Sequence, residues 1–426
     1  MVVQGFNCFT KGKTEIDQTR GCKINSKERI LSAISGDDLD YVPLYCWCFG
    51  FSPPLHLRWT RNGIERRYWY TMRLEHIHTL PQEWDTFDDF ERVKRWQMLG
   101  VDDVIDVSFP WSIHPDVKKT VWQEGKVICC AYETPEGTLL QKVKRTDEVI
   151  PPGWVVAPES PKLFEDFNLP RSEKFPVVSK DDIKHLKYLL CPPSQDEMAK
   201  YREKMEVIKR FCAEKGVAVQ GWSAFGMDGV VWLMGAENAI VSAMTEPDFF
   251  QELVDTIYRF DIMRTERMID TGGIDIIVQR GWYSSTDFWS PQLFRKYVTP
   301  NLKKLTEMVH QAGLKFGYVM TTGVMTLIED LIDAGVDLLY YADPQQENFD
   351  LVALKDKVRE RICIAGGIST SLILNRGEET LVKKKVREAM LKMEKRSFIL
   401  SPVDALFPDT PYKNVEAMIE EWKDIR

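Results

Sequence analysis

The chain has 426 residues, a formal net charge of −8 and a hydrophobic fraction of 44%. No uncharged apolar run approaches the roughly 18 residues of a transmembrane helix, and no cluster of Lys and Arg offers a nucleic-acid surface. Nine cysteines lie scattered without a repeating spacing, so we expect no disulfide framework and a reducing, cytoplasmic location.

The N-terminal residues predict an arm, a helix and a first strand. Residues 1–23 lack the basic start and apolar core of a secretory signal, and we interpret them as a loosely held arm. A helix is predicted over 27–35, where the apolar residues follow helical spacing and Gly36 ends the run. The apolar segment 42–47 then predicts a strand.

Residues 53–190 are interpreted as an insertion within one domain that spans 1–426. The stretch 53–100 is rich in aromatic and basic residues and predicts a cap over a pocket. Residues 118–145 alternate in polarity and are interrupted by Glu124-Gly125 and Pro135-Glu136-Gly137, which predicts a β-meander. The Pro-rich stretch 151–176 predicts a surface connection.

The rest of the chain alternates short apolar strands with amphipathic helices. Together with 42–47, the predicted strands number eight, as in a parallel barrel wrapped by helices; the others are 103–107, 217–220, 274–278, 315–319, 337–341, 362–366 and 397–400. A doubly wound open sheet is the alternative, but no Gly-x-Gly-x-x-Gly follows the first strand. The predicted fold class is therefore α/β, a (β/α)8 barrel with an inserted β-meander and an aromatic-rich N-terminal cap.

Three groups of motifs carry a resemblance to a known superfamily. The first is Lys27-Glu28-Arg29-Ile30-Leu31-Ser32-Ala33-Ile34-Ser35-Gly36 with Asp40-Tyr41-Val42-Pro43. The second is Trp289-Ser290-Pro291-Gln292-Leu293-Phe294 with Val298-Thr299-Pro300 and His310-Gln311-Ala312-Gly313. The third is Ile399-Leu400-Ser401-Pro402 with Pro408-Asp409-Thr410-Pro411 and Asn414. In this order and spacing they resemble the uroporphyrinogen decarboxylase superfamily, on the branch of the corrinoid-dependent methyltransferases.

Two departures narrow what the resemblance implies. The porphyrin decarboxylases carry an Arg-rich sequence after the first strand, whereas this chain has Cys46-Trp47-Cys48-Phe49-Gly50-Phe51, which argues against a polycarboxylate substrate. The thiol-methylating members bind zinc through His-x-Cys and a later Cys. These positions fall on Tyr318-Val319-Met320 and on Asp404, so the standard zinc site is expected to be absent.

The resemblance then implies the other half-reaction, in which a methyl group moves from a small substrate to the Co(I) of a partner corrinoid protein. An aryl methyl ether is one such donor, which would make the chain an O-demethylase component. A separate corrinoid protein is expected because this chain has no Asp-x-His-x-x-Gly that would ligate cobalamin. We expect no nucleic-acid or membrane partner and leave a homo-oligomer open.

Candidate site residues lie where the predicted strands end, since barrel enzymes place their chemistry there. The candidates for catalysis are Tyr318, Asp404, Asp343 and Tyr283. The candidates for substrate binding are Trp47, Trp222, Asp228, Gln279, Arg280, Trp282, Met320, Thr321 and Thr322. Gly366 and Gly367 are candidates for close approach of the corrinoid.

Several alternatives remain open for these residues. Each carboxylate could cap a helix or pair with a neighbour, Tyr318 could fill the interior, and the two glycines could serve a tight turn. Arg280 could bind a carboxylate or phenolate substrate, or form a salt bridge to a barrel aspartate. His76-x-His78 and Cys46-x-Cys48 resemble metal-binding pairs but lack a third ligand, and His310 is expected to pack on a helix surface.

Two other functions are alternatives to methyl transfer. A cofactor-free decarboxylase of a small aromatic or heterocyclic acid would use Arg280 to hold the substrate carboxylate. A non-catalytic binding protein would have lost its chemistry together with the zinc motif.

Overall fold

The computed structural model describes residues 24–48, 59–61, 64–66, 86–145, 161–345, 349–359, 361–406 and 410–426. In chain order its helices and strands are α1 (Ser26–Ser35), β1 (Trp59–Arg61), β2 (Ile64–Arg66), α2 (Thr86–Met98), β3 (Val104–Ser108), β4 (Lys118–Glu124), β5 (Val127–Thr134), β6 (Gly137–Lys144), β7 (Ser172–Lys174), α3 (Lys180–Leu189), α4 (Gln195–Lys215), β8 (Ala218–Ala224), α5 (Gly226–Met234), α6 (Ala236–Thr245), α7 (Pro247–Thr271), β9 (Ile276–Gln279), α8 (Pro291–Tyr297), α9 (Thr299–Gln311), β10 (Lys315–Val319), α10 (Val324–Asp333), β11 (Leu338–Ala342), α11 (Leu351–Val358), β12 (Cys363–Ser369), α12 (Glu379–Met393), β13 (Phe398–Val403) and α13 (Tyr412–Ile425).

A parallel sheet of seven strands organises the molecule. Its strand order is β13-β12-β11-β10-β9-β8-β3, so strands that follow each other along this part of the chain are neighbours in space. Helices separate successive strands from β8 onward, as the alternating pattern predicts. The predicted α/β class with parallel strands is confirmed.

The segment 43–45 links the two edges of this sheet. The Tyr45 backbone N–H donates to the Leu400 carbonyl of β13 at 3.0 Å, and the Asp102 N–H donates to the Leu44 carbonyl at 2.9 Å, just before β3. The sheet is therefore curled into a barrel-like shape. The predicted first strand lies where expected, although it makes isolated bridges instead of a continuous ladder.

Two apolar layers result from the alternation of side chains along the strands. The inner layer, inside the curled sheet, contains Ile276, Val278 and Val319. The outer layer, between sheet and helices, contains their sequence neighbours, such as Ile277 and Tyr318. On β9 and β10, alternate residues thus face the interior and the helices.

The helix termini show why the chain folds locally as it does. At the start of α1 the Asn25 side chain accepts from the Glu28 backbone N–H, while the Glu28 side chain accepts from the Asn25 N–H. This reciprocal pair satisfies two otherwise unbonded donors. Gly36 ends the helix at a φ of 73°, in the left-handed region that glycine adopts readily.

A second, antiparallel sheet contains β4, β5, β6 and β7 in that order. The first three strands form the predicted meander, with turns at the two predicted interruptions. Strand β7 adds an edge strand from the Pro-rich connection. Because β3 belongs to the parallel sheet, the described part of 53–190 is shared between the two sheets.

The predicted cap, 53–100, lies mostly outside the described residues. Within it, helix α2 places Val93 and Trp96 in the outer layer. None of the helices that the structure describes is both long and apolar enough to cross a membrane.

Candidate active site

Four aromatic side chains meet at the carboxyl end of the parallel strands. We call Trp47, Trp222, Trp282 and Tyr341 the aromatic cluster. Trp47 follows the 43–45 segment, Trp222 lies in β8, Trp282 follows β9 and Tyr341 lies in β11. The ring centroids of the three indoles are 5.9–6.3 Å apart, and that of Tyr341 is 6.0 Å from Trp47. The planes of these ring pairs differ by at most 33°, so the rings present near-parallel π faces.

A carboxylate is hydrogen-bonded to each of two indoles in the cluster. The Trp222 Nε1–H donates to Asp106 Oδ1 at 2.8 Å, and the Trp282 Nε1–H donates to Asp404 Oδ2 at 2.9 Å. Burial raises the pKa of each carboxyl to about 6, although Arg92 opposes the rise at Asp106 and the indole hydrogen bond opposes it at Asp404. Both groups are therefore mainly ionised at neutral pH.

Below the cluster, the barrel interior holds polar atoms that have no hydrogen-bond partner among the described residues. These are Asp106 Oδ2, Tyr45 Oη and Tyr341 Oη. Burial raises the pKa of both phenols, and the Asp106 carboxylate raises each further, so the three groups share one neighbourhood. An unsatisfied buried polar atom costs about 1–3 kcal/mol. Three together call for a polar ligand or water.

The other carboxylate oxygen of Asp106, Oδ1, is held by a series of hydrogen bonds. Gln220 Nε2 donates to Asp106 Oδ1 at 2.9 Å, and the Tyr340 hydroxyl donates to Gln220 Oε1 at 2.6 Å. These hydrogen bonds hold the Asp106 carboxylate in place and leave only its Oδ2 without a partner among the described residues.

Arg280 is enclosed by two carboxylates and two aromatic faces. Its Nη2 lies 3.0 Å from Asp166 Oδ2, and its Nε lies 3.2 Å from Asp228 Oδ2. The guanidinium carbon lies 4.6 Å from the ring centroid of Trp232 and 4.3 Å from that of Trp282. The alternative in which Arg280 pairs with a barrel aspartate is therefore what the structure shows, and its charge is compensated.

Tyr283 also forms hydrogen bonds with Asp228 and Asp166. Its backbone N–H donates to Asp228 Oδ1 and its hydroxyl donates to Asp166 Oδ1, each at 2.9 Å. Burial raises the pKa of Asp228 to about 7, against the lowering effect of Arg280. The contacts of Arg280 and Tyr283 with Asp166 link the connection before β7 to the loop after β9.

The structure does not bring Tyr318 and Met320 to the aromatic cluster. Both are fully buried in the outer layer. The Tyr318 hydroxyl lies 2.5 Å from Ser284 Oγ, in a hydrogen bond that either group can donate. Since these side chains face away from Asp404, this donor set does not fit a zinc ion, and no catalytic step is assigned to zinc.

Four other residues were also predicted for the site. Gln279 donates to the Tyr258 hydroxyl at 3.4 Å behind the sheet, and Thr322 donates to Ser285 Oγ at 2.7 Å. Asp343 accepts from the Gln345 backbone N–H at 2.9 Å, and burial raises its pKa. Thr321 is half-buried beside Met320.

Gly366 and Gly367 lie within β12, not at a surface where a corrinoid could approach. A Cβ on Gly366 would lie 2.3 Å from the Ala342 carbonyl oxygen, and its φ of 155° is one that L side chains rarely adopt. A Cβ on Gly367 would lie 3.2 Å from Ala389 and Phe398. The two glycines therefore let β11 and the helical layer pack closely on β12.

The residues considered as metal-binding pairs have other surroundings. Cys46 and Cys48 are buried in the outer layer, where the Cys48 thiol donates to the Cys46 carbonyl at 3.4 Å. His310 is exposed on α9 and pairs with Asp337 at 2.7 Å. His76 and His78 lie outside the described residues. In the part of the chain that the structure describes, no three His, Cys, Asp or Glu side chains are arranged to hold a metal ion.

Sequence reasoning missed Asp106, Asp166, Tyr45 and Tyr341. The only signal for Asp106 was a carboxylate inside an otherwise apolar strand. Asp166 carried no signal, because it belongs to a short helical turn in the Pro-rich connection.

Comparison with known proteins places this architecture in a family. Methylcobamide:CoM methyltransferase MtaA of Methanosarcina barkeri is 24% identical over 198 residues, which are 46% of this chain and 56% of that protein. Uroporphyrinogen decarboxylase of Trichodesmium erythraeum is 20% identical over 215 residues, 48% of this chain and 58% of that protein. The chain thus spans somewhat more than half the length of these relatives.

A solved structure and a family profile cover more of the chain. A methyltransferase from Methanosarcina mazei has the same fold, with a TM-score of 0.55 and 16% identity over 94% of this chain and 99% of that one. The uroporphyrinogen decarboxylase (URO-D) profile matches residues 163–425. The predicted resemblance is confirmed, and the chain belongs to the uroporphyrinogen decarboxylase family.

Proposed function

We propose that this protein transfers a methyl group from a small methylated substrate to the Co(I) of a corrinoid carried by a separate protein. The observation that carries the proposal is the aromatic cluster with its two ionised carboxylates at the carboxyl end of the barrel strands, where barrel enzymes hold their substrates. The methyltransferases among the relatives support the same reaction class.

The corrinoid is a substrate in this proposal, and it supplies the nucleophile that accepts the methyl group. The chain's own residues bind the donor and orient its methyl group toward the mouth of the barrel. Fixed orientation removes much of the entropic cost of bringing two reactants together. The stacked rings also exclude water from the methyl carbon.

The donor is an aryl methyl ether or a methylated amine. A phenolate that leaves an aryl ether needs a proton or a Lewis acid. Asp404 is mainly ionised at neutral pH, so only its minor protonated fraction, set by a pKa of about 6, would supply that proton. An amine that leaves a methylated ammonium ion is neutral and needs no proton.

The decarboxylase alternative has less support. It requires a cation free to bind the substrate carboxylate, and Arg280 is already paired with Asp166 and Asp228. A further anion beside these two carboxylates would be repelled.

The proposal is tested by mixing the purified protein with cob(I)alamin, or with the reduced corrinoid protein from the same genome, under anaerobic conditions. Methoxylated aromatics, methylamines and quaternary ammonium compounds are added one class at a time, and the cobalt absorbance reports methylcobalamin. We expect one class to give methylcobalamin, and Asp404→Asn to slow it. Glu420→Gln, which changes an exposed carboxylate paired with Lys383, is the matched control. Silence across the panel with the corrinoid partner present would refute methyl transfer and favour a binding protein.

A further inference from the structure

We infer that the methyl donor is an N-methylated ammonium ion, held on the faces of the aromatic cluster between the carboxylates of Asp106 and Asp404. This inference rests on the proposed function and selects the charge of its substrate.

The site carries negative charge. Asp106 and Asp404 each accept a hydrogen bond from an indole of the cluster, whereas Arg280 is bound between Asp166 and Asp228. Two mainly ionised carboxylates therefore lie against the rings, while the guanidinium that contacts Trp282 is paired with two other acids. A cation would lower the electrostatic energy of this arrangement, and an anion would raise it.

The ring faces of the aromatic cluster favour a cation. Cations bind the faces of Trp and Tyr because the ring quadrupole is negative there. Trp222 and Trp282 donate their indole N–H to carboxylates, which polarises each ring toward a more negative face. Arg280 already shows the preference, since its guanidinium lies 4.3 Å from the centroid of the Trp282 ring.

Three buried polar atoms of the site also lack a partner in the described part of the chain. Asp106 Oδ2 and the hydroxyls of Tyr45 and Tyr341 have no partner among the described residues, and each of these three residues is at most 3% exposed. A protonated methylamine carries N–H donors for Asp106 Oδ2. The lone pairs of the phenols would face the positive methyl groups of either a methylamine or a quaternary ion.

The chemistry balances without a further reactant. The bond between the methyl carbon and the nitrogen breaks, and its electron pair remains on the nitrogen, which leaves as a neutral amine. The new bond between carbon and cobalt takes its electron pair from Co(I). No proton moves in this step, so the site needs no general acid.

The test compares choline with 3,3-dimethylbutan-1-ol, which has the same shape but carbon in place of the charged nitrogen. Binding to the full chain is measured by calorimetry and by quenching of tryptophan fluorescence. We expect choline to bind about tenfold or more tightly than the alcohol, the discrimination expected of a desolvated cation–π site. Asp404→Asn and Trp282→Leu should each reduce that ratio several-fold, whereas Trp282→Phe, which keeps a ring, should restore much of it.

Asp106→Asn is the sharper variant, since it removes the charge and leaves an oxygen for Trp222 and Gln220. Its unfolding midpoint must first match that of wild type. If it does not, the test relies on the variants of Asp404 and Trp282, which are half-buried. Glu420→Gln should leave the ratio unchanged.

The outcomes separate the two proposals. Preference for choline without methylcobalamin from any donor would support the cation site and refute methyl transfer. Methylcobalamin from methoxylated aromatics, with equal binding of choline and the alcohol, would support methyl transfer and overturn the cation site. No binding of choline at millimolar concentration would also overturn it.

Discussion

Replacing Arg280 with Met should destabilise the protein by about 3–5 kcal/mol at pH 8, because it leaves a buried carboxylate without its counter-charge. The Arg280 side chain is 3% exposed and that of Asp228 is 0% exposed, so water cannot take the place of the guanidinium. The second pair, to Asp166, is 28% exposed on the acid side and contributes less. The main cost is thus the stranded charge of Asp228.

The cost of losing Arg280 should also depend on pH. The pKa of Asp228 is about 7 in the folded protein and 3.8 in an unperturbed chain. The unfolded state therefore binds fewer protons between these values, and the contribution of Asp228 to stability falls as pH rises from about 4 to about 7. Loss of Arg280 raises this pKa further, so the cost of Arg280→Met should be smaller near pH 5, where Asp228 is protonated in the folded state, than near pH 8.

The assay is urea unfolding of wild type, Arg280→Met, Asp228→Asn and the double variant at both pH values. The double variant should be more stable than the sum of the single effects allows, because it removes the charge that Arg280→Met strands. A cost that is equal at the two pH values, or that adds fully in the double variant, would refute this account.

The remaining predictions concern single residues. Tyr318→Phe should lower the free energy of unfolding by about 1 kcal/mol, because the hydrogen bond to Ser284 is lost, and should leave the rate of methyl transfer near that of wild type. A large loss of rate in single-turnover measurements would show that Tyr318 takes part in the reaction. Gly366→Ala should lower the thermal midpoint markedly, since its Cβ would overlap the β11 backbone; an unchanged midpoint would contradict the packing role. Asp404→Asn should weaken choline binding at pH 8 and hardly at pH 5. Burial, helped by the acid Asp166, raises the pKa of Asp404 to about 6 although Trp282 and Arg280 lower it, so this carboxyl is mostly protonated in wild type at pH 5. Calorimetry at both pH values checks the result.

The elements of the parallel sheet were predictable from local pattern. The strands and helices from β8 onward repeat the same short apolar run and amphipathic segment, and the antiparallel strands β4–β6 are separated by clear turn signals at Glu124-Gly125 and Pro135-Glu136-Gly137. These patterns depend only on residues that are close in sequence, so they can be recognised without knowledge of the fold. The segment 42–47 was predicted as a strand, but its bridges depend on residues more than 50 positions away.

The site was only partly predictable. Trp47, Trp222, Trp282 and Asp404 were expected at strand ends and do lie together. Tyr318 was also expected there, yet its parity on β10 turns it into the outer layer, because Val319 takes the inward position. A family alignment gives the position of a residue along a strand but not the face it occupies. Asp166 could not be found, since only the folded connection brings it to Arg280.

The 43–45 segment has a consequence for how the protein is made. It holds Trp47 in the aromatic cluster, and one of its two neighbours is β13, some 350 residues later. During synthesis on the ribosome, the early segment must therefore wait with one side open until β13 emerges. Most of the chain is already available by then, so barrel closure and the assembly of the candidate active site become the same late event. A chain truncated before Phe398 should lose the site as a whole, and an assay of ligand binding would report completion of the fold.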